Sequence, residues 1–447
     1  MNQPALAETV EVSNQQAPNL ANNSIGKRPV SVKSIVQALK QRVEAVAEQV
    51  IGREALLNQT LLALLTREHQ LLFSRAGTAK SLLANTLYSQ FTDAQVFKIQ
   101  MTKGTPEEAL VGAINIDELK KGSVVHNTKG TIVDAKLGFI DEIFDGNDVA
   151  LRSLLGILNE RSFTKGKQHE KSTLHMVIAA TNYLRSTDVT EAVLDRFLFR
   201  STILPDTNPY SMLQIDDAYE NSGTRVETPQ ADRIPFEHIE RLADIVEGKH
   251  SKIKIDCPAH VLFLKNNVIL EYSQAINEVR LHNNRPEVYI SPRTIAKSRD
   301  ILNASALLDG RAKVAPKDLL ALRYLIPTLG NKEEELCFDK ALQKVATEIA
   351  DDDRRAVDKL MDASEIAKAL YDAAKAGKTP DASWIERIKL FFGWTTIGEI
   401  TFNKIEEVVK KVSTRDPRVQ TLQSGVLTRV ANLKDKTEKK DSFTLAV

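Results

Sequence analysis

The stretch His69-Gln70-Leu71-Leu72-Phe73-Ser74 is short and mostly apolar. It runs straight into Arg75-Ala76-Gly77-Thr78-Ala79-Lys80, and then into SLLANTLYSQF. An apolar run that stops at a tight polar turn and restarts at helical spacing reads as buried strand, loop and helix. That unit constrains the fold, because a parallel strand needs crossover helices and neighbouring strands to bury both faces. Four further buried-strand candidates follow: AQVFKIQM, KLGFID, LHMVIAATN and FLFRSTIL. Helical segments such as VALRSLLGILNER lie between several of them. Short apolar strands alternating with helices predict an α/β fold with a parallel sheet between helices.

The rest of the chain divides around this unit. Its 447 residues suffice for two to four domains. The Asn/Gln/Ser/Pro-rich start predicts a disordered arm over residues 1–30. An α/β module is expected over 31–205, opening with VKSIVQALKQRVEAVAEQV, the tetrad Val50-Ile51-Gly52-Arg53 and EALLNQTLLALLTRE. Within it, residues 112–135 read as an insertion with a hairpin built from SVVHN and GTIVDA. A second hairpin is expected to turn at Lys165-Gly166-Lys167. A helical module is expected over 206–330 and a charged, mainly helical region over 331–447. The latter holds an aromatic stretch, Trp384 to Trp394, read as a small core, and a fraying end, LKDKTEKKDSF.

Charge and cysteine usage remove several function classes. With 60 basic and 59 acidic residues, the chain is not built to wrap wholesale on nucleic acid. Cys257 and Cys337 are far apart with no His/Cys cluster beside them, so a disulfide framework or zinc site is not expected. The start has no signal-peptide pattern, and no run reaches the roughly 18 apolar residues of a membrane span. A cytoplasmic location is expected.

The loop matches G-x-x-x-x-G-K-[ST] only in part, with Ser74 at the first glycine and Ala79 at the second. Such a loop works by aiming backbone N–H groups and a helix N-terminus at phosphates. The candidate contacts are Ser74, Arg75, Ala76, Gly77, Thr78, Ala79, Lys80, Ser81 and Leu82. Lys80 would reach the β- and γ-phosphates, and Ser81 would ligate Mg²⁺. Ala79 is a mild loss if its φ is negative. Read alone, the loop is equally a helix start with an exposed lysine. Asp141-Glu142 ends an apolar run, which puts two carboxylates at a strand's carboxyl end, where ligands bind in open α/β sheets. Asp141 would hold Mg²⁺ and Glu142 would orient and activate a water. Asn182, at the end of the next apolar strand, would position that water; its plainer reading is a turn residue. Arg196, between a helix and the last strand, would project to a neighbouring subunit and neutralise charge on the transferring phosphoryl group; its plainer reading is a salt bridge with Asp195 or Glu191. Arg200 is a second candidate for that role, placed inside the strand. Arg293 follows Ser291-Pro292 at a helix start and would reach the phosphates from the helical module; its plainer reading is a solvated arginine beside a cap.

In this order, these features resemble a AAA+ ATPase, more narrowly the MoxR group, and within it the RavA-type regulatory ATPases. The resemblance is carried by Val50-Ile51-Gly52-Arg53, GTAKS, GTPEEALVGAINIDELKK, FIDEIF, LLGILNERSF, AATN, LDRFLFR, ISPRTI and LLDGRAKVAPKDL, over Val32 to Leu329. It implies a AAA+ P-loop module with an all-α lid, followed here by the helical C-terminal region. By resemblance, Gly77, Lys80 and Ser81 match Walker A, Asp141 and Glu142 Walker B, and Asn182 sensor 1. Arg196 matches the arginine finger, Arg293 sensor 2, and Ile51 and Gly52 the segment that packs on adenine. Residues 112–133 match the helix-2 insert. The group's Walker A reads G-P-P-G-T-A-K-[ST], so Ala79 conforms to it and Ser74-Arg75-Ala76 departs from it. The resemblance further implies ATP and Mg²⁺, a homo-oligomer in the form of a hexameric ring, chaperone-like remodelling, and a von Willebrand A-domain partner. Two other readings stay open: a nucleotide-dependent scaffold with little turnover, and a nucleic-acid motor, for which the KGKQHEK hairpin tip is the one feature in favour.

Overall fold

The structure is a computed structural model that describes residues 30–75, 77–183, 187–205, 207–220, 228–377, 382–393 and 400–438. The expected N-terminal arm, Ala76, Trp394 and most of the lysine-rich end lie outside the described residues.

Five parallel strands form the central sheet: β1 Gln70–Ser74, β2 Val96–Gln100, β3 Leu137–Asp141, β4 Met176–Thr181 and β5 Phe199–Ile203. Their order is β2-β3-β4-β1-β5. β1 is therefore central, paired with β4 on one side and β5 on the other. Alternate residues of a strand point to opposite faces, and both faces are buried. Leu72, Ile178, Ala180 and Phe199 face a core shared with helices α1 Val32–Ala47, α2 Glu54–Thr66 and α3 Lys80–Tyr88. Leu71, Val177 and Ala179 face a second core, with helix α4 Asp148–Glu160, with Leu110 and Val111 just before the insert, and with Ile132 and Val133 inside it. This two-sided burial explains why the strands read as continuous apolar runs rather than alternating ones.

The insertion departs from its expected form. Residues 123–127 and 130–135 do not pair as a hairpin; instead there are short helices, Glu108–Val111 and Ile116–Lys120, and an isolated antiparallel bridge between Ile114 and His126. The β-branched pair Ile132 and Val133 is drawn into the second core, where burial takes the place of strand pairing. The second hairpin forms as expected, Ser162–Lys165 against Gln168–Lys171, turning at Gly166-Lys167. The two pieces are stitched together by Gln168, whose side-chain amide accepts from His126 N at 2.8 Å and donates to His126 O at 3.1 Å, as a strand backbone would.

After β5 the chain turns helical, but its cores are not divided where composition changes. Helix α5, Phe236–Val246, returns to the sheet core through Phe236, Ile239, Leu242 and Ile245. The lid core gathers α6 Ala259–His282, α7 Pro292–Leu308, a 3-10 segment Pro316–Tyr324 and α8 Lys332–Glu348, with Tyr272, Leu302, Leu322 and Phe338 inside. The expected boundary at 330 thus falls inside this packing unit, which runs on to Ile349. Hydrophobic spacing shows that a helix has a buried face but not which core receives it. The last third packs around α9 Asp351–Ala376, with Val357, Leu360, Ile405 and Val430 in its core. Ala259 and Phe263 of α6 pack against that core as well.

Candidate active site

The sheet's carboxyl edge collects the expected residues. β1 ends at Ser74, and α3 begins at Lys80 after a loop in which Gly77 has φ +82°. A Cβ on Gly77 would meet nothing within 4 Å, so the backbone angle alone favours glycine there. Ala79 also lies in the left-handed region, at φ +64°. The expectation of a mild loss required a negative φ; the observed angle costs an L-residue about 1 kcal/mol. Ser74 is more than a missing glycine: it is buried, and its Oγ lies 2.6 Å from the hydroxyl of Thr78, clasping the two ends of the loop. Thr78 Oγ1 also lies 3.0 Å from the Arg75 carbonyl oxygen. Arg75, Gly77, Ala79 and Ser81 are exposed, and Leu82 turns its side chain toward the core.

Three strand ends meet through one line of hydrogen bonds. Lys80, 7% exposed, donates from Nζ to Asn182 Oδ1 at 2.8 Å. Asn182 follows β4, the neighbour of β1. It donates from its side-chain amide to one oxygen of Glu142 and from its backbone N–H to the other at 3.2 Å. Glu142 follows β3, has φ +49°, and donates its own N–H to Asp141 Oδ1 at 3.0 Å. A strained backbone angle at such a position is typical of functional sites. Tyr183 donates from its hydroxyl to Asp145, tying the ends of β4 and β3 together a second time; no sequence pattern pointed to that pair. Among the described residues no cluster of three or more His, Cys, Asp or Glu groups is arranged to hold a metal. Mg²⁺ takes one or two protein oxygens and fills the rest of its shell with phosphate and water. Ser81 and Asp141 are the residues that would supply those oxygens.

The two arginines of the expected site lie elsewhere. Arg196 precedes β5 at the sheet's amino edge. Its Nη1 pairs with Asp195 at 2.7 Å, and its Nε is buried with no hydrogen-bond partner among the described residues. Arg200 caps local backbone, donating to Phe197 O at 3.0 Å and Leu194 O at 3.1 Å. Arg293, expected at the phosphates of its own chain, instead reaches Asn159 Oδ1 at 2.8 Å and Glu68 Oε2 at 3.3 Å. Glu68 precedes β1 and the loop follows it, so about 20 Å of extended chain separates them. α7 packs along α2 with its N-terminus toward the amino edge, and its arginine goes with it.

The cleft beside the loop joins Ile51 and Gly52, which the resemblance assigns to adenine, to residues that sequence reasoning missed, Leu204, Leu329, Lys332 and Glu335. Gly52 at φ +68°, Arg53, Leu204, Leu329, Lys332 and Glu335 line a space of about 420 Å³ next to the end of β5. Leu329 reaches this edge by pairing with Ser201 as a short sixth parallel partner. Ile51 is half-buried in the same turn as Gly52.

Comparison with known proteins matches this geometry. Residues 37–243 match the MoxR domain of MoxR-vWA-beta-propeller ternary systems, and residues 269–336 match an AAA lid domain. Together the two matches make residues 37–336 similar to a MoxR-type AAA+ module. Two uncharacterized proteins of Methanocaldococcus jannaschii are similar to it. One is 25% identical over 348 residues, covering 77% of this chain and 82% of the relative. The other is 27% identical over 338 residues, covering 75% and 83%. A solved structure of a candidate ATPase from Cytophaga hutchinsonii shares the fold with a TM-score of 0.54 at 18% identity, over 71% of this chain and 96% of the other. The MoxR match ends with α5, the last helix of the sheet core, and the lid match runs into α8. Among the described residues no helix is long and apolar enough to cross a membrane.

Proposed function

We propose that this MoxR-type protein binds and hydrolyses ATP with Mg²⁺ as a ring-forming, chaperone-like remodeller or assembly factor for a partner protein. The observation that carries the reading is the line Lys80–Asn182–Glu142 across three adjacent strand ends, with Asp141 beside it. Lys80 and the N-terminus of α3 would hold the phosphates. Mg²⁺, on Ser81 and Asp141, would neutralise charge on the β- and γ-oxygens. Glu142 would take a proton from the attacking water, with Asn182 setting the position of both.

Arg196 and Arg293 lie at the opposite edge, away from Lys80, Asn182 and Glu142. Stacking the amino edge of one subunit against the carboxyl edge of the next would supply one or both. A ring, hexameric by family resemblance, would close that arrangement. The matched domain's association with vWA proteins supports a von Willebrand A-domain partner. The helical region after the lid is the candidate surface for it.

The test is Mg²⁺-dependent ATP hydrolysis over a range of protein concentrations, for the wild type and Lys80→Ala. Specific activity should rise with concentration and fall at least about 100-fold in Lys80→Ala. Activity that survives the substitution would refute the site. A second reading, a nucleotide-bound scaffold with little turnover, is favoured by one observation: both oxygens of Glu142 are held by Asn182 and must exchange partners to engage a water. Tight ATP binding without turnover at any concentration would select it. The nucleic-acid reading is weakened at its one feature, because Lys165 of the hairpin tip is paired with Glu107, although Lys167 and Lys171 stay exposed.

A further inference from the structure

The helix Pro209–Glu220 begins just beyond the carboxyl end of β5, and its amphipathicity is reversed. A surface helix that serves only its own chain turns its apolar stripe inward. Here the inward residues are Ser211, which is buried, and Gln214 and Ala218, which are half-buried. They recur at i, i+3 and i+7 and so form one face. Met212, Ile215 and Tyr219 recur at the same spacing on another face and are 53%, 46% and 80% exposed. Tyr210 and Leu213 are exposed as well. The helix itself is well begun, with Asn208 Oδ1 accepting from Tyr210 N at 3.0 Å and Pro209 at its first position.

Contiguous apolar surface of this kind marks a contact with another molecule. Its charge narrows the occupant. The helix holds Asp216, Asp217 and Glu220 and no Lys, Arg or His. Helices that lie on anionic membranes carry a basic polar face, and nucleic acid is held by cations, so neither suits it. An apolar protein surface with a basic rim does.

The same chain presents such a surface at its other edge. On the first turns of α7, Pro292, Ile295, Ala296 and Arg299 are all exposed, at i, i+3, i+4 and i+7. Residues at that spacing are neighbours on a helix surface. Between Pro292 and Asp300 there are three basic residues, Arg293, Lys297 and Arg299, and one acid, Asp300 itself. Glu68 answers Arg293 and Lys297 within the chain, and Arg299 stands on the exposed stripe. One stripe is apolar and acidic, the other apolar and basic, and they lie toward opposite ends of the sheet. A head-to-tail contact between copies needs two different, complementary patches, whereas a two-fold contact of the acidic stripe with itself would set like charges together.

We propose that the helix Pro209–Glu220 of one copy docks along the exposed stripe of α7 of the next. Met212, Ile215 and Tyr219 cover Ile295 and Ala296, and Asp216, beside Met212 on the helix surface, answers Arg299. The proposal rests on the ring reading, for which it names a contact made through the lid. Because α7 also carries Arg293, the docked helix ties the lid position of one copy to the carboxyl edge of its neighbour.

The experiment is sedimentation of the full chain over a range of concentrations, with and without Mg²⁺–ATP, for the wild type, Ile215→Asp and Ile295→Asp. Both positions are exposed, so neither substitution opens a core. Each variant alone should associate at least about tenfold more weakly than the wild type. An equimolar mixture keeps one intact contact, from the helix of the Ile295→Asp chain to α7 of the Ile215→Asp chain, and should form a dimer and nothing larger. In the wild type, amide exchange over 209–220 and 292–299 should slow as concentration rises, a readout that stands even if a variant misfolds. A variant that assembles like the wild type would overturn the contact. So would wild-type assembly that leaves 209–220 unprotected, or protection there by phosphatidylcholine vesicles and not by concentration, which would assign the helix to a membrane surface. A wild type that stays monomeric at every concentration would overturn the contact and the ring together, while ATP hydrolysis lost in Lys80→Ala would keep the ATPase reading.

Discussion

Ala79 and Ser74 show how a loop can be altered and still hold its shape. Glycine was absent from both positions, and the structure treats the two losses differently. At Ser74 the side chain is put to use, its hydroxyl joined to Thr78 across the loop. At Ala79 the backbone keeps a left-handed angle that alanine tolerates poorly. Ala79→Gly should therefore raise stability by up to about 0.5 kcal/mol in urea unfolding, about 1 kcal/mol of relieved strain less about 0.5–1 kcal/mol of added backbone entropy. A loss of stability would mean that the angle is not strained. Lys80, Asp141, Glu142 and Asn182 were legible as a set because each follows an apolar run at its carboxyl end. Their shared edge follows from parallel strands alone. The Tyr183–Asp145 bond was not legible, since neither residue belongs to a pattern.

Among elements, the lid's return to the sheet is the feature with most consequence. Leu329 pairs on β5 only because Gly330, at φ +84°, lets the backbone pass over Thr202. Gly330→Ala should separate this pairing and cost about 2 kcal/mol in denaturant unfolding, with faster amide exchange at Thr202. Unchanged stability would show that the pairing adds nothing. The same scale explains the misplaced arginine. Ser291 does cap α7, accepting from Thr294 N at 3.3 Å, and Pro292 does begin it. A helix start is written in local residues; the direction in which a helix is laid against its neighbours is not.

Across the whole molecule, charged and polar side chains join the units. Glu68, 5% exposed at its side chain, meets Arg293 and Lys297 of α7 at 3.3 and 3.0 Å, binding lid to sheet. His260 and Asp358, 2.7 Å apart, join the lid to the C-terminal bundle. His69 and His175 are buried between strand ends and helices, each ring bonded to a backbone oxygen, Leu158 O at 2.9 Å and Leu64 O at 2.7 Å. Burial holds both neutral, pushing His69 well below 6.5 and His175 down to about 3. Their folded values lie below the unfolded one, so the stability they carry is complete above 6.5 and is lost as pH falls toward 3. Each should approach a slope of about 1.4 kcal/mol per pH unit below the unfolded value, read from urea unfolding between about pH 6 and pH 5. His175→Gln should remove its share of the slope; an unaltered slope would place the acid sensitivity elsewhere.

By itself the sequence determined the local pieces: five apolar strands, the helices between them, the loop at Gly77 and Lys80, and the acids and amide at the strand ends. These follow from residue spacing, turn chemistry and the burial of both faces of a parallel sheet, all of which act over a few neighbours. Tertiary structure alone decided which core each helix joined, that α5 returned to the sheet, and that α8 belonged to the lid. It also sent Arg293 to the amino edge and brought Leu329 to the carboxyl edge. Those outcomes depend on contacts between segments more than a hundred residues apart, such as Leu329 with Ser201 and Arg293 with Glu68. Hydrophobic burial is non-directional, and it leaves that choice of partner to the packing of the whole.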